Sequence, residues 1–315
     1  MKMLTRGIFV LACCTLVFSC SRGVSYRIAG TWENGEGKKI YLSEIVGNKE
    51  FRAVDSAVVA PDFTFLLKGN VDRVQKMVLV YNSDKRKEII VDGEPMNVMF
   101  EETTKEWKGK TSTSVTVTCT GNREQEFLEK GSSLKTTISF MQLGKMMAAS
   151  KVDYDDPEAV DSLKRVFTLL DSSLIAAVNN YMDTTRNSYA STYFFESHLM
   201  DNYTFEEVQG FYNNLTDRVK QSAPGIELKK KIDEMGMVSV GGVAPNFKAT
   251  TPSGRELSLY DLRGRIVLLD FWASWCGPCM AEMPNVKEIY RKYHDKGLEI
   301  LGVSLDSKKE PWVNA

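Results

Sequence analysis

The sequence predicts an all-β, sandwich-like domain and a helical region, followed by a C-terminal α/β domain. Short runs of β-forming residues separated by turn residues fill the first third, and helical periodicity fills the middle. Near the C-terminus an apolar strand leads into a helix that opens on a Cys-x-x-Cys pair. The predicted boundaries are 1–20 for a signal peptide, 21–121 for the β domain, 122–235 for the helical region and 236–315 for the α/β domain.

The first 20 residues are typical of a secretory signal. Lys2 and Arg6 give a basic start, and the apolar run at 7–18 is too short to cross a membrane. The run ends on Leu16-Val-Phe-Ser-Cys20, which resembles a lipoprotein cleavage box with Cys20 as the acylated residue. We expect a lipid-anchored protein on the periplasmic side of a bacterial envelope membrane, with ordinary signal cleavage as the alternative because Phe18 is bulky for that box.

The composition excludes some classes of function. The formal net charge is −1, from 40 basic and 41 acidic side chains, so nothing indicates a nucleic-acid partner. Six cysteines in 315 residues are too few for a disulfide scaffold. We expect Cys119, in a run of β-formers, to be a packed and inert thiol.

The β domain is predicted from runs that alternate or cluster β-formers between Gly, Asn, Asp and Pro. Their spacing indicates antiparallel strands in a small sandwich or barrel. The predicted strands are 39–42, 55–59, 63–67, 77–81, 87–91 and 115–118.

Helix signals fill residues 122–235. Residues 124–147 predict one or two helices, and Pro157 is placed at the first position of the next. Thr204 and Glu207 have the spacing of a capping box. A Pro-Gly pair at 224–225 predicts a break before a short final helix.

The C-terminal domain contains the residues that carry chemistry. The apolar run at 266–272 predicts a strand buried on both faces, residues 280–293 predict a helix, and Cys276 lies at their junction. The positive end of a helix favours a thiolate, so we expect Cys276 to be the nucleophile that attacks a disulfide. Cys279, one turn further in, should be shielded and should resolve the mixed disulfide. Pro278 suits the first helical turn because its missing N–H would be unpaired there.

Two other interpretations of the cysteine pair stay open at this point. The pair could be half of a zinc site, but four ligands are needed and the rest of the chain offers only Cys119, His198 and His294, which are scattered. A purely structural disulfide is also possible, although a bridge closing so short a loop removes little entropy from the unfolded chain. We therefore predict no metal site.

These residues resemble a known family. The sequence Trp275-Cys-Gly-Pro-Cys279 after an apolar strand resembles thioredoxin, and its surroundings resemble the envelope thiol–disulfide oxidoreductases of the TlpA/ResA type, within the AhpC/TSA superfamily. The supporting motifs are Gly242-Val-Ala-Pro-Asn-Phe247, Leu257-Ser-Leu-Tyr-Asp-Leu-Arg-Gly264 and Glu282-Met-Pro284. Segments near Tyr26, Asp55 and Asp62 resemble an uncharacterised domain often joined to TlpA-like modules.

The resemblance implies a thioredoxin-like fold and specific site residues. The catalytic set is Cys276, Cys279, Asp270 and Glu282, and the only redox group is the Cys276–Cys279 disulfide, with no other cofactor. Asp270 matches a buried Asp that is thought to help deprotonate the second cysteine, since burial raises the pKa of an acid. Glu282 matches an active-site Glu, with a solvated helix charge as the alternative. Trp275, Gly277 and Pro278 are expected to contact substrate.

The resemblance also implies partners and an expected shortfall in the domain. Disulfide-bearing envelope proteins are the expected substrates, a membrane thiol donor is the expected reductant, and cytochrome c maturation is a theme of the family. Thioredoxin-like domains continue through a further helix, a hairpin with a cis-proline and a terminal helix, so we expect this domain to be truncated. A thiol peroxidase and a non-catalytic envelope binding protein are the alternative functions.

Overall fold

The computed structural model describes residues 23–46, 50–82 and 85–315. The chain divides into two compact units, Met1–Met235 and Gly236–Ala315. The predicted signal peptide and its Cys20 lie outside the described residues.

Eight strands in the first unit form two four-stranded sheets, in the orders β4-β1-β7-β8 and β3-β2-β5-β6. The strands are β1 (Val24–Trp32), β2 (Lys39–Val46), β3 (Glu50–Val58), β4 (Thr64–Val71), β5 (Gln75–Val80), β6 (Arg86–Val91), β7 (Met96–Trp107) and β8 (Lys110–Thr120). The β-rich character predicted for this region is confirmed. The prediction of uniformly antiparallel strands is wrong at one place, because β1 and β7 pair in parallel. Between these two strands the chain forms all four strands of the other sheet, and β7 then runs in the same direction as β1.

The core of this region lies between the two sheets. Alternate residues of β1 point inward, so that Tyr26, Ile28 and Trp32 are buried. They join side chains of the other sheet, such as Ile40 and Leu79, in one apolar cluster. Each fully buried aliphatic side chain of this kind contributes about 1.5–3 kcal/mol by leaving water.

Helices follow the strands as predicted. They are α1 (Arg123–Ala149), α2 (Pro157–Thr185), α3 (Ala190–Phe194), a π-helix (Phe195–Leu199), α4 (Met200–Asn202), α5 (Phe205–Asn214), α6 (Asp217–Lys220) and α7 (Ala223–Met237). The Asp156 side chain caps α2, with Pro157 next, and the predicted capping box of Thr204 and Glu207 is present on α5.

The break and the short final helix predicted at the Pro-Gly pair are confirmed, since α6 ends at Lys220 and α7 begins at Ala223. The pair itself lies in the first turn of α7, and the helix continues to Met237. A Cβ added to Gly225 would lie 1.9 Å from the carbonyl oxygen of Val219, so only glycine allows this close approach of two backbone segments.

The helical region is joined to the β sheets by buried polar contacts. The side-chain amide of Gln125 in α1 donates to the carbonyl of Glu88 at 3.2 Å and accepts from the N–H of Ile90 at 3.1 Å. Both partners are in β6. The side chain of Gln125 thus forms hydrogen bonds with two backbone groups of β6. These contacts link α1 to the sheets, in keeping with the single compact unit that the two regions form.

The second unit contains a hairpin and a βαβ arrangement. Its elements are β9 (Lys248–Thr250), β10 (Glu256–Ser258), a 3-10 helix (Leu259–Leu262), β11 (Ile266–Trp272), α8 (Gly277–Tyr293), a second 3-10 helix (His294–Lys296), β12 (Leu298–Ser304) and α9 (Lys309–Asn314). β9 and β10 pair as an antiparallel hairpin, and β11 pairs in parallel with β12. Gly297, which precedes β12, has the left-handed φ of 95°.

The prediction that β11 is buried on both faces is wrong. Ile266, Leu268 and Phe271 are exposed, and Asp270 is half-buried. Within residues 236–315, all of which the structure describes, β11 has one strand neighbour, so part of its surface is left uncovered. Across the described part of the chain, no helix combines the length and apolar character that a membrane crossing requires.

Candidate active site

The cysteine pair lies where β11 ends and α8 begins. Cys276 is the N-cap of the helix, with φ −85° and ψ 96°, and its N–H donates to the Ala273 carbonyl at 3.1 Å. Gly277 and Pro278 then form the first helical positions. An extended residue before a regular helix leaves the first helical N–H groups without intrahelical partners, and one of them, the Cys279 N–H, faces the Cys276 sulfur.

The two sulfur atoms are bonded to each other. Cys276 and Cys279 form a disulfide with their Cα atoms 5.3 Å apart. The Cys279 N–H also donates to the Cys276 Sγ at 3.3 Å. Because this donor belongs to the helix N-terminus, it would stabilise negative charge on Cys276 Sγ once the disulfide is reduced.

The cysteine pair is open to a substrate on one side. Both cysteines are half-buried, so the stronger shielding predicted for Cys279 is not seen in the exposure of the two residues. Trp275 is 73% exposed. Gly277 and Pro278 are exposed as well, so the three residues predicted to contact substrate are all accessible to solvent.

Asp270 and Glu282 are placed less favourably than predicted. Asp270 lies on β11 opposite Gly302 and is half-buried, not enclosed, because β11 is incompletely covered. Glu282 is exposed, and its carboxylate accepts a hydrogen bond from Asn285 at 3.2 Å. It shares a side of α8 with Cys279 through its i+3 spacing, while its hydrogen bond is to a helix neighbour.

Trp272, the last residue of β11, is half-buried. A Cβ added to Gly302 would meet its indole nitrogen at 3.1 Å. Gly302 therefore makes room for the Trp272 ring beside β12.

Three polar residues at this site were not found from the sequence. The Asp306 carboxylate accepts the Ser274 N–H at 3.0 Å, the Ser274 hydroxyl at 2.6 Å and the Ser304 hydroxyl at 2.7 Å. These hydrogen bonds, those from Ser274 foremost, lower the pKa of the Asp306 carboxyl below its usual range. The only local signal was the Ser-x-Asp spacing of Ser304 and Asp306 at the end of a run of β-formers, which is typical of a side-chain-bonded turn.

The residues considered for zinc have other partners. Cys276 and Cys279 bond to each other, and the His294 ring contacts the Leu298 carbonyl oxygen and the Tyr290 ring. His198 packs against aromatic rings in the first unit, where burial lowers its pKa. Over residues 23–46, 50–82 and 85–315, no three His, Cys, Asp or Glu side chains are grouped so that they could hold a metal ion.

Cys119 differs from the cysteine pair in every respect that governs reactivity. It is 4% exposed within the β-sheet core. Burial raises the pKa of its thiol to about 11. This is the environment of a packed thiol, and it contrasts with the helix N-terminus at Cys276.

Comparisons with known proteins identify two separate segments. Residues 240–314 match the model of the AhpC/TSA family, and residues 26–128 match that of a domain of unknown function, DUF4369. Similar curated proteins include the thiol-disulfide oxidoreductase ResA of Bacillus thuringiensis strain Al Hakam, 45% identical over 69 residues that cover 22% of this chain and 40% of the relative. ResA of Geobacillus thermodenitrificans is 45% identical over 76 residues, covering 24% and 44%.

Solved structures match the same part of the chain. The thioredoxin domain of a thiol-disulfide oxidoreductase from Bacteroides vulgatus is 39% identical, with a TM-score of 0.23, over 24% of this chain and 53% of that one. A thiol:disulfide interchange protein from Bacteroides sp. is also 39% identical, with a TM-score of 0.22, over 23% and 47%. The chain thus spans about two fifths of the curated relatives it matches, and its 240–314 segment is similar in sequence to thiol-disulfide oxidoreductases.

Proposed function

We propose that this chain is a thiol–disulfide oxidoreductase of the bacterial cell envelope that reduces protein disulfides through Cys276 and Cys279. The observation that supports it most is the position of the pair at the start of α8, where the Cys276 Sγ accepts a helix N–H. The sequence similarity of residues 240–314 to ResA proteins gives independent support.

The first step is attack by the reduced pair on a substrate disulfide. The Cys276 thiolate forms a bond to one substrate sulfur, the substrate S–S bond breaks, and the other sulfur leaves as a thiolate that takes a proton from water. The helix N-terminus favours the attacking thiolate. The exposed Trp275 ring offers an apolar surface beside the attacking sulfur, where a substrate chain can pack.

The second step releases the product and oxidises the pair. The Cys279 thiolate attacks Cys276 Sγ, the bond from Cys276 to the substrate breaks, and the remaining substrate sulfur leaves as a thiolate. Two electrons have then passed to the substrate, and the chain holds the disulfide seen in the structure. A dithiol donor returns the pair to its reduced form by the same exchange in reverse.

Asp270 and Glu282 are proposed as carriers of the proton on Cys279. Asp270 lies on the strand that leads to the site, and Glu282 lies three residues after Cys279 on α8. A carboxylate near a resolving thiol can accept its proton before attack. Replacement of either acid should slow the release of a trapped mixed disulfide more than it slows the first attack.

The test of the function is an insulin reduction assay with dithiothreitol as the donor. The full chain should accelerate precipitation of the insulin B chain, while Cys276→Ser should not. Cys279→Ser should accumulate a mixed disulfide between Cys276 and insulin, detected by mass spectrometry. Absence of both turnover and the trapped adduct would contradict the proposal.

The direction of electron flow has its own measurement. A reduction potential near that of thioredoxin, about −270 mV, fits a reductant, and one near that of DsbA, about −120 mV, fits an oxidant. Equilibration of the pair with defined glutathione buffers gives this value. We expect the former.

The envelope location and lipid anchor rest on the sequence of residues 1–20. Expression of the full chain in a bacterial host should place it in the membrane fraction, with diacylglycerol on Cys20 detectable by mass spectrometry. Cys20→Ala should release it from the membrane. Recovery of the wild-type chain in the soluble periplasmic fraction without lipid would instead indicate ordinary signal cleavage.

A thiol peroxidase is the second candidate, because the matching family model is that of the AhpC/TSA proteins. In that reaction the Cys276 thiolate would attack a peroxide oxygen, form a sulfenic acid and release water or an alcohol. Ala273 stands three residues before Cys276, where the peroxidase motif has a threonine. Peroxide consumption by Cys279→Ser in the presence of dithiothreitol separates the two functions.

A further inference from the structure

A polar contact joins the loop that carries Cys276 to the end of β12. The loop, residues 273–275, connects β11 to the helix N-cap. Ser274 in this loop donates both its N–H and its hydroxyl to the two oxygens of the Asp306 carboxylate, at 3.0 and 2.6 Å. We call the contact among Ser274, Ser304 and Asp306 the serine–aspartate latch.

On the β12 side, hydrogen bonds restrain the position of Asp306. The Ser304 hydroxyl donates to the same carboxylate, and the Asp306 N–H donates back to the Ser304 hydroxyl at 3.0 Å. The Leu305 N–H donates to the Trp272 carbonyl at 2.8 Å, which continues the β11–β12 pairing beyond the last residues of the strands. The carboxylate therefore has restraints on the β12 side that do not involve Ser274.

Ser274 is linked to Cys276 by one tight turn of the backbone. Ser274 lies inside the turn closed by the Cys276 N–H and the Ala273 carbonyl. Within residues 236–315, all of which the structure describes, Ala273 is the one buried apolar residue, at 1% exposure. The loop is therefore restrained by the packing of Ala273 and by the two directional hydrogen bonds that Ser274 donates to a charged acceptor.

We propose that Asp306 is a positioning residue of the Cys276–Cys279 site, which acts by holding the 273–275 loop through Ser274 so that Cys276 Sγ stays on the axis of the α8 N-terminus. The inference deepens the proposed function, and its test does not require that the chain reduce any protein disulfide. Asp306 touches neither sulfur and acts only through Ser274.

Positioning and simple electrostatics predict opposite signs for the loss of this carboxylate. A nearby negative charge disfavours a thiolate, so removal of a charge that acted only through space would speed the reaction of Cys276 with an alkylating agent. Removal of a positioning group lets the sulfur leave the helix axis and lose its N–H donor, which slows that reaction. The direction of the change therefore identifies the role.

The experiment measures the rate at which iodoacetamide alkylates Cys276 at pH 7 in the fully reduced, full-length chain. Peptide mass spectrometry with fragment ions separates Cys276 from Cys279 and Cys119. The variants are Asp306→Ala, Ser274→Ala, Ser274→Thr and the double variant Asp306→Ala/Ser274→Ala. Asp295→Ala is the matched control, because Asp295 is an exposed acid at the opposite end of β12.

We expect Asp306→Ala to slow alkylation of Cys276 about two- to fivefold, the range for loss of a helix-terminus interaction. Ser274→Ala should slow it less, because the Ser274 N–H still reaches the carboxylate. Ser274→Thr keeps the hydroxyl and should react at the wild-type rate, as should Asp295→Ala. The double variant should match Asp306→Ala alone, since both changes remove the same contact.

Three outcomes overturn the proposal. Faster alkylation in Asp306→Ala assigns the carboxylate a through-space effect only, and an unchanged rate assigns it a role in stability alone. Additive effects in the double variant would show that the two residues act separately. If Asp306→Ala does not fold, the pair Ser274→Ala and Ser274→Thr decides, because equal rates in these two variants contradict the latch. Failure of the wild-type chain to reduce insulin would contradict the proposed function, and the alkylation rates would still decide the role of Asp306.

Discussion

The two units are stabilised in different ways. The β sheets of the first unit enclose a continuous cluster of buried aliphatic and aromatic side chains. In residues 236–315, Ala273 and Ser258 are the buried residues, and the site is held by hydrogen bonds to backbone and side-chain groups. The difference indicates that the first unit derives its stability from packing, whereas the geometry of the cysteine site depends on a small number of polar contacts.

A cluster of aromatic rings shows how side chains pack in the first unit. Trp32 stacks on Phe100 with ring centroids 4.7 Å apart, and Tyr81 meets both rings edge-on. The Trp32 indole N–H donates to Glu102, which also accepts from Lys38. The Trp32 indole N–H thus has a partner, so this ring is buried without the cost of an unpaired donor.

The largest expected effect separates chemistry from stability. Cys276→Ser should lower insulin reduction at least about a thousandfold, to the uncatalysed background, because it removes the nucleophile. Hydrogen exchange in β1, β5 and β7 should not change, since that unit does not contain the residue. Residual turnover above background in this variant would assign the chemistry to another group.

A pair of leucine truncations compares the two kinds of stabilisation directly. Leu79 is fully buried between the sheets, and Leu79→Ala should cost about 2–5 kcal/mol of unfolding free energy in that unit. Leu268 on β11 is 41% exposed, and Leu268→Ala should cost less than about 1.5 kcal/mol in its own unit.

Hydrogen exchange resolved by peptide measures the cost of each leucine truncation in the unit that holds it, so no single two-state transition is required. Equal losses of unfolding free energy in the two variants would contradict the difference between a unit stabilised by packing and one stabilised by polar contacts. Iodoacetamide alkylation of Cys276 in Leu79→Ala should stay at the wild-type rate, which controls for damage to the whole chain.

The two thiol environments should differ in their response to pH. With its pKa raised to about 11, the Cys119 thiol should alkylate about a hundredfold more slowly at pH 8 in the folded chain than in the urea-unfolded chain. Because burial favours the protonated thiol, its contribution to stability is full below the unfolded pKa near 8.5 and is lost as pH rises towards 11. Rapid native-state alkylation of Cys119 at pH 8 would contradict the packed core.

A smaller effect than those on catalysis, stability and Cys119 concerns substrate contact. Trp275→Ala should lower kcat/KM for insulin about three- to tenfold, through a higher KM, because an exposed apolar ring beside the nucleophile is lost. Alkylation of Cys276 by iodoacetamide, which needs no protein surface, should be unchanged. A parallel loss with both reagents would show that the ring supports the fold of the site, not the substrate.

Local signals in the sequence predicted the parts of the molecule that depend on neighbouring residues. The strand–helix junction at Cys276, the Asp156 cap and the capping box of Thr204 and Glu207 are each set within a few residues. The predicted strands did not include β1 or β7. The second half of β7 lacks an apolar pattern although it pairs with β8, but its first half alternates buried Met96, Val98 and Phe100, so a local signal was present there.

Long-range contacts could not be predicted from the same signals. The parallel pairing of β1 with β7 joins residues almost 70 positions apart in the sequence, and Ser274 meets Asp306 across 32 positions. The burial expected for Asp270 failed for a related reason, since an apolar run shows that a strand can be buried but not how many neighbours cover it. Such features depend on which elements meet, and no local pattern encodes that.

Disulfide exchange at this site requires that Cys276 be an activated thiolate once reduced. The most direct measurement is the pH profile of its alkylation in the reduced full-length chain, from pH 5 to 10, with Cys119 in the unfolded chain as the reference thiol. We predict a midpoint for Cys276 clearly below the ordinary thiol pKa of about 8.5. A midpoint at or above that of the reference thiol would contradict the helix N-terminus as the source of reactivity and, with it, the proposed disulfide exchange.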